Sequence, residues 1–238
     1  MIRYLKRNFS KRQTNKFLIF LLVLDFLFIL GHIIIALRFN FEPRSFMVDT
    51  DGGYPEIFQY IKFISIALIS LWLVFTRDEY GYFAWSILFT FLYLDDAYQF
   101  HESAGAYLAS SFSLQPMLGL RPRDLGELLY AGFAGILFLV LLLIGFIRGS
   151  KIYKGEAFDI LLLFSIFIFF GIGVDMAHQW VVDIYMVSAV FALIEDGGEM
   201  IGLSLLTWYF YFAAKKSLSG RKFLYKVFFE HPILAPNS

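Results

Sequence analysis

The sequence predicts an all-α fold: one polytopic membrane domain, a helical bundle of six transmembrane helices. Three observations predict it. The 238 residues are 59% hydrophobic and only 17% charged, against about 25% charged in ordinary soluble domains. Six stretches reach the roughly 20 mostly apolar residues that a helix needs to cross a bilayer. The Lys and Arg residues gather between those stretches, most of them on one side.

The first stretch, 16–37, follows a basic leader. It is longer than the apolar core of about 7–15 residues in a signal peptide. It ends in Ala36-Leu37-Arg38-Phe39 without a small-residue cleavage site, so it is expected to be retained as a helix. The second and third stretches, 57–76 and 80–101, are separated by a short turn holding Arg77. The fourth is 125–147, and the loop before it, 103–123, is expected to hold a short interfacial segment. The fifth and sixth are 158–178 and 185–213. No internal repeat and no Ser- or Pro-rich linker divides the chain. The abundant Phe and Tyr are expected to face lipid or pack between helices, with Tyr favouring the interfaces.

Loop charge sets the expected orientation. Arg3, Lys6, Arg7, Lys11, Arg12, Lys16, Arg77, Arg148, Lys151, Lys154, Lys215, Lys216, Arg221, Lys222 and Lys226 fall on one side of six alternating helices. Arg38, Arg44, Arg121 and Arg123 fall on the other. Positive residues stay inside, so both ends of the chain are predicted to be cytoplasmic. The net charge is zero, and no basic field suggests nucleic acid as a partner. The absence of cysteine excludes thiol nucleophiles, iron–sulfur ligation and zinc–thiolate sites.

The informative residues are acids and histidines inside apolar stretches. The first helix carries Asp25 and His32. The third carries Asp95, Asp96, Tyr98, His101 and Glu102. The fourth opens with Asp124 and Glu127. The fifth ends with Asp175 and His178, and the sixth carries Glu195, Asp196 and Glu199. An ionised side chain at the centre of a bilayer costs on the order of 3 kcal/mol by insertion scales. These groups should therefore face the bundle interior, a water-filled space or the interface.

Helical spacing supports a shared interior. Asp25 and His32 are seven residues apart, as are Asp95 and Glu102, so each pair shares a helix face. Asp175 and His178 are neighbours at i,i+3, and Glu195 and Glu199 at i,i+4. Asp96 and His101 point away from the Asp95 face, so not every member is expected to converge. Gly198 and Gly202 form a small-xxx-small pattern that admits a close neighbour. Helix direction supports it too, since the polar groups come late in helices one, three and five and early in four and six. All are thereby predicted in the outer half of the bilayer, with Asp25 and Asp95 about 10 Å deeper at 1.5 Å per residue.

Lys62 is the one predicted intramembrane cation, the charge partner for this set. So many carboxylates at close range cannot all remain ionised unless cations neutralise them. Carboxylates with imidazoles suit Zn, Fe or Mn, and helical bundles build such sites from inward acids and Glu-x-x-His units. The expected ligands are Asp95, Glu102, Asp175, His178, Glu195 and Glu199. His32, His101, Asp25, Glu127, Tyr98, Asp96 and Asp196 are additional ligands or support. The blander reading of single members is also physical: a lone His32 can be an interhelical contact, Asp124 a helix N-cap, and Glu127 a first-turn acid favoured by the helix dipole.

Leu94-Asp95-Asp96, His101-Glu102 and Ile194-Glu195-Asp196-Gly197 together resemble a group of uncharacterised bacterial multi-pass membrane proteins. The resemblance covers helices three to six and implies a bacterial inner membrane, with no activity attached. Intramembrane metal-dependent hydrolases of the ceramidase type are a poorer comparison, because this chain has no His-x-x-x-His pair. Haem held by two of His32, His101 and His178 is unattractive in such acidic surroundings.

Three functions remain as expectations. The first is a metal-dependent protein, a hydrolase or an oxidoreductase if an enzyme, acting on a lipid or other apolar molecule at membrane depth. The second is a proton- or cation-coupled carrier. The third is a non-catalytic subunit of a membrane complex with a buried polar network.

Overall fold

A computed structural model of the protein describes residues 2–38 and 43–217, with side chains for 14–38 and 43–215. The basic side chains predicted for the leader before residue 14 and for the tail from 216 onward lie outside the described residues. Among the described residues the fold is all-α and 85% helical, and no strand occurs.

Five of the six predicted stretches coincide with continuous or nearly continuous helix, and the third is interrupted. The first lies in α1 (Ile2–Arg38) and the second in α2 (Tyr54–Arg77). A 3-10 turn, Arg44–Phe46, lies between them. The third stretch is divided into α3 (Gly81–Ala97) and α4 (Phe100–Ser111). The fourth is α5 (Pro122–Arg148). The fifth begins as α6 (Lys151–Ile168), passes through a π-helical segment (Phe169–Val174) and ends in the short α7 (Asp175–Gln179). The sixth is α8 (Tyr185–Ser217).

Four of these helical segments are long and apolar enough to cross a membrane: Thr14–Arg38, Tyr54–Arg77, Pro122–Arg148 and Lys151–Gln179. The division of the third stretch leaves α3 only 17 residues, and the acids Glu195, Asp196 and Glu199 lower the apolarity of α8.

The division is a correction to the sequence reading. Gln99 takes φ 51°, a left-handed conformation that an α-helix does not continue through. The predicted loop 103–123 is correspondingly half helix, since α4 runs to Ser111. Trp180 donates from its indole N–H to the Leu118 carbonyl (2.9 Å), tying the remainder of that loop to the end of α7.

α8 is central, packing on α1, α2, α6 and the π segment. The core is aromatic. Trp85 and Phe89 of α3 meet Phe164 of α6 and Phe210 of α8, with ring centroids 5.7–6.3 Å apart. Such offset and edge-to-face contacts are the favoured geometries. Glycines set the closest helix contacts. A Cβ built on Gly202 would lie 3.1 Å from the Phe167 Cα, and one on Gly198 would overlap the Phe170 ring. The small-xxx-small face of α8 thus receives α6 and the π segment. Between α4 and α5 the backbones themselves meet, at Gly105 and Gly126.

The remaining surface is apolar to a degree no water-exposed helix sustains. Phe75 is 79% exposed, Phe133 75% and Ile147 70%. Along the apolar window of α5 only 6% is buried. Contiguous apolar surface on this scale marks contact with lipid or protein.

Candidate functional site

The predicted polar residues fall into three groups. The first is a buried knot. Lys62 of α2 donates from Nζ to Asp25 Oδ1 of α1 (2.6 Å) and to the Met200 carbonyl of α8 (3.0 Å). Its ammonium also sits 4.3 Å from the centroid of the Phe58 ring. Ser204 Oγ donates to Asp25 Oδ2 (2.5 Å). Asp25 and Ser204 are 0% exposed and Lys62 is 1% exposed. Burial of such a pair is tolerated because the ammonium and carboxylate are both supplied with partners. Asp25 was expected in the same layer as Asp95; it is committed to Lys62 instead.

The second group surrounds the two helix interruptions. Because the chain turns at Gln99, His101 folds back onto α3. Its Nδ1 lies 3.1 Å from Asp95 Oδ2, while Tyr130 of α5 donates to Asp95 Oδ1 (2.7 Å). The expectation that His101 points away from Asp95 is thereby overturned, since helical periodicity does not carry across a left-handed residue. His178 of α7 pairs through Nδ1 with Glu195 Oε2 of α8 (2.9 Å), and its Nε2 lies 2.9 Å from Ser188 Oγ. With Nδ1–H donating to the carboxylate, Nε2 is free to accept from the serine hydroxyl.

Glu199, one turn beyond Glu195, lies against Gly171 in the π segment: a Cβ there would be 2.5 Å from Glu199 Oε1. The carboxyls of Asp96, Glu195 and Asp175 and the ring of His101 form its charged surroundings. Those of Asp196 are Glu199, Glu195, Asp49 and Asp96. Asp175 lies among Asp124, His178 and His101 and receives the Gln179 amide (3.3 Å). All the predicted members of this cluster keep partial exposure. It gathers Asp95, Asp96, His101, Asp175, His178, Glu195, Asp196 and Glu199 at one end of the bundle.

The third group stands apart from the cluster in its partners. Arg123 holds Glu127 of its own helix (2.8 Å) and also Glu102 of α4. Glu102, predicted as a ligand, is thus an ion-pair partner beside the cluster. Asp124 occupies the third position of α5, not its N-cap, and accepts from the Arg121 backbone N–H (2.8 Å). Hydrogen bonding to Asp124 also raises the Arg121 guanidinium above its ordinary value. His32 accepts at Nδ1 from the Val48 N–H (3.2 Å), with Asp49 3.7 Å away, which puts the neutral ring's proton on Nε2. Tyr98 is exposed and stacks on Phe100, ring centroids 5.6 Å apart.

Among the described residues, no three His, Asp or Glu side chains are grouped so that they could hold one metal ion. The residues predicted as ligands stand instead in carboxylate–imidazole pairs, in an ion pair, or facing one another at longer range.

A further network lies at the other end of the bundle and was not anticipated from the sequence. Arg77 donates to Glu156 of α6 (2.5 Å), to the Tyr82 hydroxyl (3.2 Å) and to the Ala213 carbonyl of α8. Tyr82 also donates to Glu156, and Tyr209 donates to Asp159 (2.6 Å). Glu156 and Asp159 precede or open the predicted fifth stretch, where charge reads as interfacial. Their i,i+3 spacing, on the face that carries Ile160 into the core, was the available signal. Arg77→Ala is expected to cost about 3 kcal/mol, the low end for removing one partner of a buried ion pair. Thermal unfolding in detergent reads this, with Glu156→Gln expected to cost less.

Span-length apolar helices, an apolar outer surface and polar groups confined to the interior and ends are the features of a helical membrane protein. The chain belongs to the family described as Domain of unknown function (DUF8692), whose model matches residues 17–214. That match includes every member of the acidic cluster. No curated protein and no solved structure matches the chain.

Proposed function

We propose that this chain is a six-helix membrane protein that binds and passes on a cation, the proton foremost, at the acidic cluster. The carrying observation is that two helices are interrupted beside the acids: at Gln99 between α3 and α4, and at the π segment against which Glu199 rests. Irregular backbone at membrane depth is tolerated where it lines a cavity. Broken helices are where membrane carriers place coupling-ion sites, and π segments recur at functional positions. Two carboxylate–imidazole pairs next to further carboxylates offer successive proton acceptors. α3 and α8 complete the six spans in this reading. The loop charges support cytoplasmic termini, and the resemblance supports a bacterial inner membrane.

The test is proton flux into liposomes carrying the purified protein and an internal pH-sensitive dye. Flux above that of empty liposomes is expected, with Glu199→Gln and Glu195→Gln each lowering it about tenfold or more. A wild-type rate equal to that of empty liposomes between about pH 5 and 8 sinks the reading.

A second reading has its own support. Six carboxylates (Asp95, Asp96, Asp175, Glu195, Asp196 and Glu199) share this region with two imidazoles, a charge balance that Zn, Fe or Mn would correct. A bound metal would activate water or polarise a substrate, here a lipid or apolar molecule. Stoichiometric metal in the purified protein, lost in Glu199→Ala and His178→Ala, would favour it over the proton.

A further inference from the structure

A shallow groove of about 290 Å3 lies between α2 and α8, lined by Leu68, Ile69, Trp72, Tyr211, Ala214 and Lys215. It is well away from the acidic cluster, near the end of the bundle where Arg77 bonds to Ala213. Its volume is about the lower limit of small-ligand pockets, roughly 300 Å3. Its wall is apolar except at one rim, where the Lys215 ammonium stands 5.5 Å from the Tyr211 ring centroid. That ring also meets α1, with the Phe17 centroid 4.6 Å away. The exposed Lys16 directly precedes Phe17, which puts a second cation at the same end. Trp72 is 40% exposed on the groove.

We propose that this groove holds an anionic phospholipid, one acyl chain lying along Leu68, Ile69 and Trp72 and the phosphate at Lys215. Three features carry the assignment. The lining is apolar along the helices, which suits a hydrocarbon chain. The cation stands at one rim only, which suits a molecule charged at one end. Tyr and Trp flank it, as aromatic residues do at the level of lipid headgroups. A soluble anion would gain nothing from the apolar floor, and a zwitterionic lipid brings its own ammonium, which competes with Lys215 for the phosphate. Basic residues at the ends of membrane helices select anionic headgroups in this way.

The experiment uses the full chain in mild detergent and reads its thermal unfolding midpoint during titration with phosphatidylglycerol, phosphatidylcholine or inorganic phosphate. Phosphatidylglycerol is expected to raise the midpoint in a saturable manner and to half-saturate at least fivefold lower than phosphatidylcholine. Lys215→Gln should abolish that preference, and Trp72→Ala should weaken both lipids. Lys151→Gln, an exposed cation on α6, should change neither. Each variant is compared with itself without lipid, so a general loss of stability does not mimic the result. Equal half-saturation by the two lipids, an unchanged preference in Lys215→Gln, or an equal effect of inorganic phosphate overturns the assignment.

Discussion

Lys62→Met is expected to destabilise the protein by about 3–5 kcal/mol, the cost of breaking a buried ion pair from one side. The substitution removes the partner of Asp25, a carboxylate with no exposure. Ser204 still donates to it, but one neutral hydroxyl does not compensate a buried negative charge. The Met200 carbonyl and the face of Phe58 lose a partner as well. Asp25→Leu alone should be comparably harmful, because it strands the ammonium. The double variant Asp25→Leu/Lys62→Met should recover most of the loss, since apolar replacement of a whole buried pair is often neutral or stabilising. Unfolding midpoints of the four proteins in one detergent form the cycle. A double variant as unstable as the sum of the single ones would show that the pair is not the unit of stability.

The second large effect concerns the seam between α4 and α5. A Cβ on Gly126 would lie 2.1 Å from the Gly105 carbonyl oxygen and 2.8 Å from its carbon. Both atoms belong to the backbone, so no side-chain rotation relieves the overlap. Gly126→Val should therefore separate the two helices, at the upper end of the 1–3 kcal/mol typical of overpacking. It should also disturb the Arg123–Glu102 pair, which spans the same seam. Gly132→Ala is the matched control on the same helix. Nothing lies within 4 Å of a Cβ there, and Ala favours a helix over Gly by up to about 1 kcal/mol. Opposite signs for the two substitutions are expected in thermal unfolding. Equal tolerance of both would mean that α4 and α5 do not meet through these glycines.

Helix positions were legible in the sequence because apolar runs of spanning length have few alternatives. The helical state of 16–37, 57–76, 125–147, 158–178 and 185–213 follows from that alone. The interruption after Ala97 was not legible. Tyr98 and Gln99 are ordinary helix residues by propensity, and Gln99 adopts its left-handed geometry in a tertiary setting where its amide donates to Asp51 (2.8 Å). Every face assignment spanning that point failed with it: Asp95 meets His101, and Glu102 turns to Arg123. The irregular segment at residues 169–174 was not legible either, because a π turn depends on what fills the space beside it, here Glu199. The convergence of acids from α3, α7 and α8 was readable from helix direction. Their sorting into pairs was not, because partners such as Tyr130 and Ser188 carry no charge to mark them. The Arg77–Glu156 network shows the same limit in reverse. Charge near a helix end is so often solvated that the i,i+3 spacing of Glu156 and Asp159 was too weak a signal to mark the buried case.

The Lys62 knot divides the molecule mechanically. One ammonium fastens the middle of α2 to a side chain of α1 and to the main chain of α8, so these three helices form a fixed frame. A rearrangement that opens or closes the acidic cluster costs least when it leaves that frame intact. The Arg77 network fastens α3 and α6 to the same frame, so displacement is left to the segments beyond the breaks at Gln99 and at residues 169–174, α4–α5 and α7. In this division Glu195 and Glu199 ride on the stationary part, while their partners His178 and Gly171 ride on the part that can shift. A movement of about one helical step there, 1.5 Å, would be enough to unmake a hydrogen bond of 2.9 Å and free both groups at once.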